Sequence, residues 1–306
     1  MKTLNYYLLD VFTNEPFGGN QLAVFMDGKG LSTAQMQTIA QELNLSETVF
    51  ILPPELQTSS YKLRIFTPKT ELPFAGHPTI GTAYLLATLG LLPNTDGLNE
   101  IVFEENVGQI TIHIYAENEK VIKVDMLQPI PIKVDKLLEK TVVANLLSIN
   151  EGDIHTELPI SIISAGIPFV YVPVKSLHAM NRIELRMDVW NQEFAGSEDT
   201  QHIFAFSLET QDPLTHVHSR MFAPAMGITE DPATGSASGP LGYYLVTNDL
   251  VEENKGQYQF VSEQGMEMGR PSQIEITIKK EVDSISEVKV GGSAIIMAEG
   301  KMFLHI

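Results

Sequence analysis

Apolar and polar residues alternate with a period of two in several short stretches. Tyr7, Leu9 and Val11 do so near the start, as do Ile110, Ile112 and Ile114, and later Ile274, Ile276 and Ile278. That period turns one side of each segment into a core and predicts half-buried strands. Elsewhere the period is helical. Ser32 or Thr33 suits an N-cap, and Met36, Ile39, Ala40 and Leu43 then recur on one face, predicting a helix through Leu43. Two more segments, Thr79 to Leu89 and Thr234 to Val246, are small and apolar nearly all round. A helix without a polar face is a buried helix. The expected fold class is α+β: curled, mostly antiparallel sheets, each wrapped around one central buried helix, and not a parallel doubly wound sheet.

The chain also repeats itself. Arg64-Ile65-Phe66-Thr67-Pro68 returns as Arg220-Met221-Phe222-Ala223-Pro224, and His77-Pro78-Thr79-Ile80-Gly81-Thr82-Ala83 returns as Asp231-Pro232-Ala233-Thr234-Gly235-Ser236-Ala237. Val49 to Leu52 echoes Ile203 to Phe206, and Ile110 to Ile114 echoes Ile274 to Ile278. Four matches in one order predict two lobes of one architecture related by a pseudo-twofold axis. The seam is expected near Gln128-Pro129-Ile130-Pro131, where two prolines interrupt any ladder. Residues 1–128 then form the N-terminal lobe and residues 129–291 the C-terminal lobe. No flexible Gly/Ser linker separates them.

Composition narrows the function. Among 306 residues, 43% are hydrophobic, enough for a sizeable core. There are 38 acidic residues against 20 basic ones, a formal charge of -18, which repels phosphate backbones and anionic lipid heads. Nucleic acid and membrane are therefore not expected as partners. Cysteine is absent, which excludes disulfides, thiolate nucleophiles and cysteine metal sites. The apolar opening ends at Asp10, too short for a signal-peptide core, and no stretch reaches the roughly 20 apolar residues of a membrane helix. A soluble, cytoplasmic protein is expected.

Both repeat motifs have the form X-Pro-x-x-Gly-(Thr/Ser)-Ala at the mouth of a buried helix. Proline suits a first turn, and unpaired N–H groups with the positive dipole end make each mouth a candidate anion site. His77 and Asp231 take the X position, and an imidazole facing a carboxylate across a cleft can shuttle a proton. Capping and packing explain the same residues without chemistry. Glu47, where a helix hands over to an apolar strand, is the third candidate. If it points inward, desolvation raises its pKa towards that of a general acid/base; if outward, it is a surface residue. Gly19-Asn20 forms a tight turn whose backbone donors could line a pocket. No dinucleotide fingerprint surrounds that turn, so no nicotinamide or flavin cofactor is expected. His216 and His218 share one strand face, but no convincing third metal ligand accompanies them.

Asp10-Val11-Phe12-Thr13, Gly19-Asn20, Leu45-Ser46-Glu47-Thr48, Arg64 to Pro68, Ala75-Gly76-His77-Pro78-Thr79, Glu230 to Ala237 and Val290-Gly291-Gly292-Ser293-Ala294 resemble the PhzF family, the phenazine-biosynthesis-like proteins. The likeness runs from the first strand to the last. It implies a diaminopimelate-epimerase-like fold with the active site between two lobes. In that fold the C-terminal strand commonly returns to the first lobe, which assigns about 292–306 to it. The resemblance also implies a homodimer without cofactor or metal that shifts a proton, as in isomerisation of trans-2,3-dihydro-3-hydroxyanthranilate. On it, Glu47 is the acid/base, and His77 and Asp231 assist. Gly76 and Thr79 at one helix mouth, and Thr234, Gly235 and Ser236 at the other, hold a small carboxylate substrate, with Gly19 and Asn20 nearby. Related epimerases use two cysteines, and this chain has none. The alternatives left open are a non-catalytic small-acid-binding protein and a cysteine-free epimerase.

Overall fold

Local capping starts the first helix where the sequence expects it. In the structure, a computed structural model that describes residues 2–281 and 284–304, α1 (Thr33–Leu43) is preceded by Ser32 in a capping box. Ser32 Oγ accepts the Gln35 N–H at 3.2 Å, and Gln35 Oε1 accepts the Ser32 N–H at 2.9 Å. Two orphan donors are thereby satisfied. Met36, Ile39 and Ala40 face the core, as their spacing predicts.

The chain divides into two units, Met1–Leu127 with Gly291–Ile306, and Gln128–Val290. The first contains β1 (Lys2–Val11), β2 (Asn20–Phe25), β3 (Glu47–Leu52), β4 (Tyr61–Phe66), β5 (Glu71–Leu72), α2 (Gly76–Thr88), β6 (Gly97–Glu105), β7 (Gly108–Glu117) and β8 (Lys120–Leu127). The last described strand, Ala294–Leu304, pairs antiparallel with β1. β1 is antiparallel to β2, β2 parallel to β3, and β3 antiparallel to β4. β4 is antiparallel to β5 and parallel to β6, and β6, β7 and β8 form an antiparallel meander.

The second unit contains β9 (Ile132–Val134), α3 (Lys140–Leu146), β10 (Ser161–Ser164), β11 (Pro168–Pro173), α4 (Leu177–Met180) and α5 (Met187–Val189). It continues with β12 (Ile203–Ser207), β13 (Val217–Ala223), β14 (Ile228–Asp231), α6 (Gly235–Thr247), β15 (Gln257–Gln264) and β16 (Ser272–Glu281). Its pairings repeat those of the first unit: β10 antiparallel to β11, β11 parallel to β12, and β12 antiparallel to β13. β13 is antiparallel to β14 and parallel to β15, and β15 is antiparallel to β16. The sequence echoes fall on equivalent strands, β3 with β12, β4 with β13 and β7 with β16. α+β is the fold class, with a buried helix in each unit.

α2 and α6 are buried along nearly their whole length. Ile80, Leu85 and Leu86 of α2 are at most 1% exposed, and full burial of such a side chain contributes roughly 1.5–3 kcal/mol. Gly81 is required by this packing, because a Cβ there would lie 2.6 Å from Val11 Cγ2 and 2.7 Å from Leu22 Cδ2. α2 begins at Gly76, three residues before the expected start. His77 therefore lies inside its first turn, whereas Asp231 ends β14, four residues before α6. The two X positions are equivalent in sequence and differ in local structure.

The recurring Arg-x-Phe has a physical cause. Arg64 Nε and Nη2 donate to Glu71 across β4–β5 at 2.8 and 2.6 Å, and the guanidinium lies 5.2 Å from the Phe66 ring centroid. Arg220 Nε and Nη2 donate to Glu230 across β13–β14 at 2.7 and 2.8 Å, with Phe222 at 5.2 Å. Each clamp joins the strand pair that leads to a central helix. Arg220 also donates to the carbonyls of Met180 and Ile183, and its side chain is only 7% exposed against 19% for Arg64. Removing one partner of a buried, hydrogen-bonded pair costs about 3–5 kcal/mol, and of a more exposed pair about 1 kcal/mol. Denaturant unfolding of Arg220→Ala is expected to show the larger loss, and of Arg64→Ala the smaller. Equal losses would contradict this account.

Candidate functional site

Three chain segments meet at the mouth of α2. β2 opens at Asn20, β3 opens at Glu47, and Glu47 is paired with Leu22 in the parallel β2–β3 ladder. Gly19 has φ +62°, and a Cβ on it would lie 2.3 Å from the Val11 carbonyl oxygen. Only glycine permits that approach, and it places Asn20, fully buried, at the start of the strand. Gln21 follows, and its backbone hydrogen-bonds the His77 ring.

His77 and Glu47 are brought together. His77 Nε2 lies 3.1 Å from Glu47 Oε2, and the two side chains are 5% and 8% exposed. Of the two locations open to Glu47 in sequence, the structure has the inward one. Burial pushes the His77 imidazole down to about 3, and the Gln21 backbone bond offsets this only in part. The ring is therefore neutral at ordinary pH. A neutral imidazole is both a hydrogen-bond donor and an acceptor, so beside a carboxyl group it can exchange hydrogen bonds without creating a buried cation.

The helix mouth supplies donors. Ala75, the N-cap of α2, provides no side-chain bond. Gly76 opens the helix and is buried, and the Thr79 hydroxyl donates to the Ala75 carbonyl at 2.7 Å. Unpaired amides at a first turn, with the positive dipole end, suit a carboxylate.

In the second unit the polar groups before α6 are bonded to one another. The Thr234 hydroxyl donates to Asp231 Oδ2 at 2.6 Å. The Thr234 amide donates to Gln264 Oε1 at 3.1 Å, and Gln264 Nε2 donates to the Asp231 carbonyl at 2.7 Å and to Thr234 Oγ1 at 3.0 Å. The Gly235 carbonyl accepts from Gln128 Nε2 at 2.9 Å. Asp231, Thr234 and Gly235 are buried, and Ser236 is half-buried.

His218 faces other work than metal binding. Its Nδ1 lies 2.7 Å from Glu263 and its Nε2 2.9 Å from Glu267, while His216 Nδ1 accepts the Val261 amide. Among the described residues no group of three or more His, Asp or Glu could hold a metal ion. Burial alone would lower the His218 pKa, but its bonds to Glu263 and Glu267 outweigh that and hold it at about 9.

One buried acid beside the α2 mouth has no signal in the local pattern. Glu105, at the end of β6, is 5% exposed and hydrogen-bonded to Thr79. In sequence it reads as the second of two charges ahead of a turn. Only the internal repeat points to it, by register: Lys62 pairs with Glu104 as His218 pairs with Glu263, which sets Glu105 against Gln264.

Comparison with known proteins adds the family. The phenazine biosynthesis-like protein profile (PhzC-PhzF) matches residues 9–300. An uncharacterized isomerase of Mesorhizobium japonicum is 37% identical, covering 99% of this chain and 100% of its own. The trans-2,3-dihydro-3-hydroxyanthranilate isomerase of Pseudomonas aeruginosa is 33% identical over 98% of this chain and 99% of its own. A crystal structure of a PhzF-family protein from Bacillus anthracis superposes with TM-score 0.89 at 30% identity, covering 99% of this chain and 100% of that one. A hydroxyproline epimerase from Agrobacterium vitis shares the fold alone, with TM-score 0.65 at 11% identity over 98% of this chain and 92% of that one.

Two measurements follow. Nitrogen-15 spectra of the His77 ring should show an imidazole that stays neutral, never cationic, between pH 5 and 8; a cationic ring at pH 6 would overturn the burial argument. For His218 the folded pKa lies above the ordinary 6.5. Its stabilising contribution is therefore complete below pH 6.5 and fades as pH rises through about 9. Urea unfolding at pH 6, 7.5 and 9 should show this decline in the wild type and a flatter profile in His218→Gln.

Proposed function

The chain belongs to the phenazine biosynthesis-like protein family, and from that premise we propose that it is an isomerase shifting a proton on a small carboxylate-bearing metabolite. The observation that carries this reading is the buried contact between Glu47 and neutral His77 at the mouth of α2. In the proposal Glu47 takes a proton from one carbon and returns it to another on the same face. His77 accepts a hydrogen bond from the protonated Glu47 carboxyl. The amides at Gly76 and His77 hold the substrate carboxylate at the helix mouth, Thr79 steadies that turn through its bond to the Ala75 carbonyl, and Gly19 and Asn20 shape the adjoining turn.

In the backbone register that aligns Arg64 with Arg220, Phe50 corresponds to Ala205 and Glu47 to His202. Epimerisation by a pair of thiols is ruled out, for the chain has no cysteine. The proposal includes a cytoplasmic, cofactor-independent homodimer. Among the described residues no helix is long and apolar enough to cross a membrane.

The test uses Glu47→Gln, which keeps the shape and removes the acid/base. Deuterium incorporation from heavy water is followed into trans-2,3-dihydro-3-hydroxyanthranilate and a panel of small unsaturated carboxylic acids. A positioned acid/base is worth about 10²–10⁴-fold in rate, so exchange should fall by at least about 10²-fold while the fold is retained. Exchange at the wild-type rate in the variant would remove Glu47 from the role.

A further inference from the structure

We propose that Glu105 works as a neutral, protonated carboxylic acid that locks the mouth of α2 from the end of β6, the part that the Gln264 amide plays at the mouth of α6. It is a positioning residue, acting through Thr79 and the first turn that carries His77.

Hydrogen counting carries the first step. Thr79 Oγ1 lies within bonding distance of two acceptors, the Ala75 carbonyl and Glu105 Oε1. A hydroxyl has one hydrogen and serves one of them. If Glu105 carries a proton, the conflict disappears: its O–H donates to Thr79 Oγ1, and Thr79 donates to Ala75. Glu105 Oε2 is buried with no hydrogen-bond partner among the described residues. A bare buried oxygen is far less costly on a neutral acid than on a carboxylate.

The second step is the internal copy. Parallel register aligns Glu104 with Glu263 and Glu105 with Gln264. The first pair keeps one role in both units, since Glu104 accepts the amides of Glu55 and Leu56, and Glu263 those of Gln211 and Asp212. At the next position the second unit has a side chain that is neutral at every pH. Gln264 donates to the hydroxyl of Thr234, which donates onward to Asp231. Glu105 makes the same donor–hydroxyl–acceptor chain only when protonated.

The electrostatic surroundings agree. Burial raises the Glu105 pKa to about 8, against the opposing bonds from Thr79 and the Ala75 backbone. The charged and titratable groups on the elements near this end of β6 are engaged elsewhere. In α2, His77 meets Glu47 of β3, and Tyr84 bonds Ser293. In β4, Lys62 meets Glu55 and Arg64 meets Glu71 of β5. His113 of β7 lies between Asp125 and Glu100, and Glu104 holds its loop amides. None of these supplies a cation to stabilise an ionised Glu105.

That this helix mouth is the working site rests on the isomerase reading; the protonation state does not. The test uses the full chain with carbon-13-labelled glutamate, comparing the wild type with Glu105→Gln and Glu105→Ala. One carboxyl resonance, absent from Glu105→Gln, should be protonated at pH 6.5 and titrate near pH 8. The His77 ring shifts should move with the same midpoint in the wild type and stay flat in Glu105→Gln, a response that a merely structural residue would not give. The folded pKa exceeds the unfolded value of 4.5, so stability is lost as pH rises between the two. The unfolding constant of the wild type relative to Glu105→Gln should climb by up to about tenfold per pH unit from 4.5 to 8. Glu105→Ala, with no bridging group, should unfold more readily than Glu105→Gln at pH 6. An ionised Glu105 at pH 6.5, or Glu105→Gln as unstable as Glu105→Ala, would overturn the proposal. Failure of deuterium exchange with Glu105 shown to be neutral would sink the isomerase reading and leave this inference standing.

Discussion

Burying a helix on every side creates a problem at its first turn. The amides there have no partner within the helix, and water does not reach them along flanks made of Ile, Leu, Ala and Gly. α2 and α6 both have this composition, and neither has a side-chain cap of its own. At each mouth one polar contact comes from the end of the strand that follows the helix, Glu105 on β6 and Gln264 on β15. The strand pairs that lead to each helix are held by the Arg64–Glu71 and Arg220–Glu230 clamps. These constraints set the position of the first turns, and hence of His77 and Thr234.

How far the fold was legible follows from whether its causes are local. The Ser32 cap lies three residues from its partner, and the isoleucine alternations need only their neighbours, so α1, β7 and β16 can be read directly. The start of α2 cannot, because Ala75 and Gly76 carry no capping signal and the polar contact comes from Glu105, thirty positions away. The repeat was visible as a pattern of letters, yet the reason for Arg-x-Phe is a carboxylate on the next strand. His216 and His218 show the converse: the spacing fits a metal pair, but the parallel β13–β15 ladder brings Glu263 against His218. Glu47 was ambiguous for a related reason. Its inward direction is set by the Leu22 pairing and by His77, neither adjacent in sequence.

Duplication leaves the two units with one topology and two chemistries. Glu47 is matched by His202, Glu105 by Gln264 and His77 by Asp231. The second exchange replaces a titratable acid in one unit with an amide in the other. The third also differs in backbone, since Asp231 ends a strand and bonds Thr234, whereas His77 sits in the helix. A copied scaffold allows this, because packing needs only shape and hydrogen bonds, which an amide supplies as well as an acid.

Charge balance explains why neutrality matters at such a place. The chain carries a formal charge of -18, while a helix N-terminus offers roughly half a positive charge. That is enough to favour one carboxylate, and an ionised Glu105 would already use it. An incoming anion would then meet a mouth with its attraction cancelled. A neutral Glu105 leaves the dipole available, and a neutral His77 accepts a hydrogen bond from Glu47 without demanding a counter-ion. Desolvation, which raises the acid and depresses the imidazole, acts on both in the direction that removes charge. The same burial that forces the mouth to be capped from β6 thus leaves its dipole uncancelled.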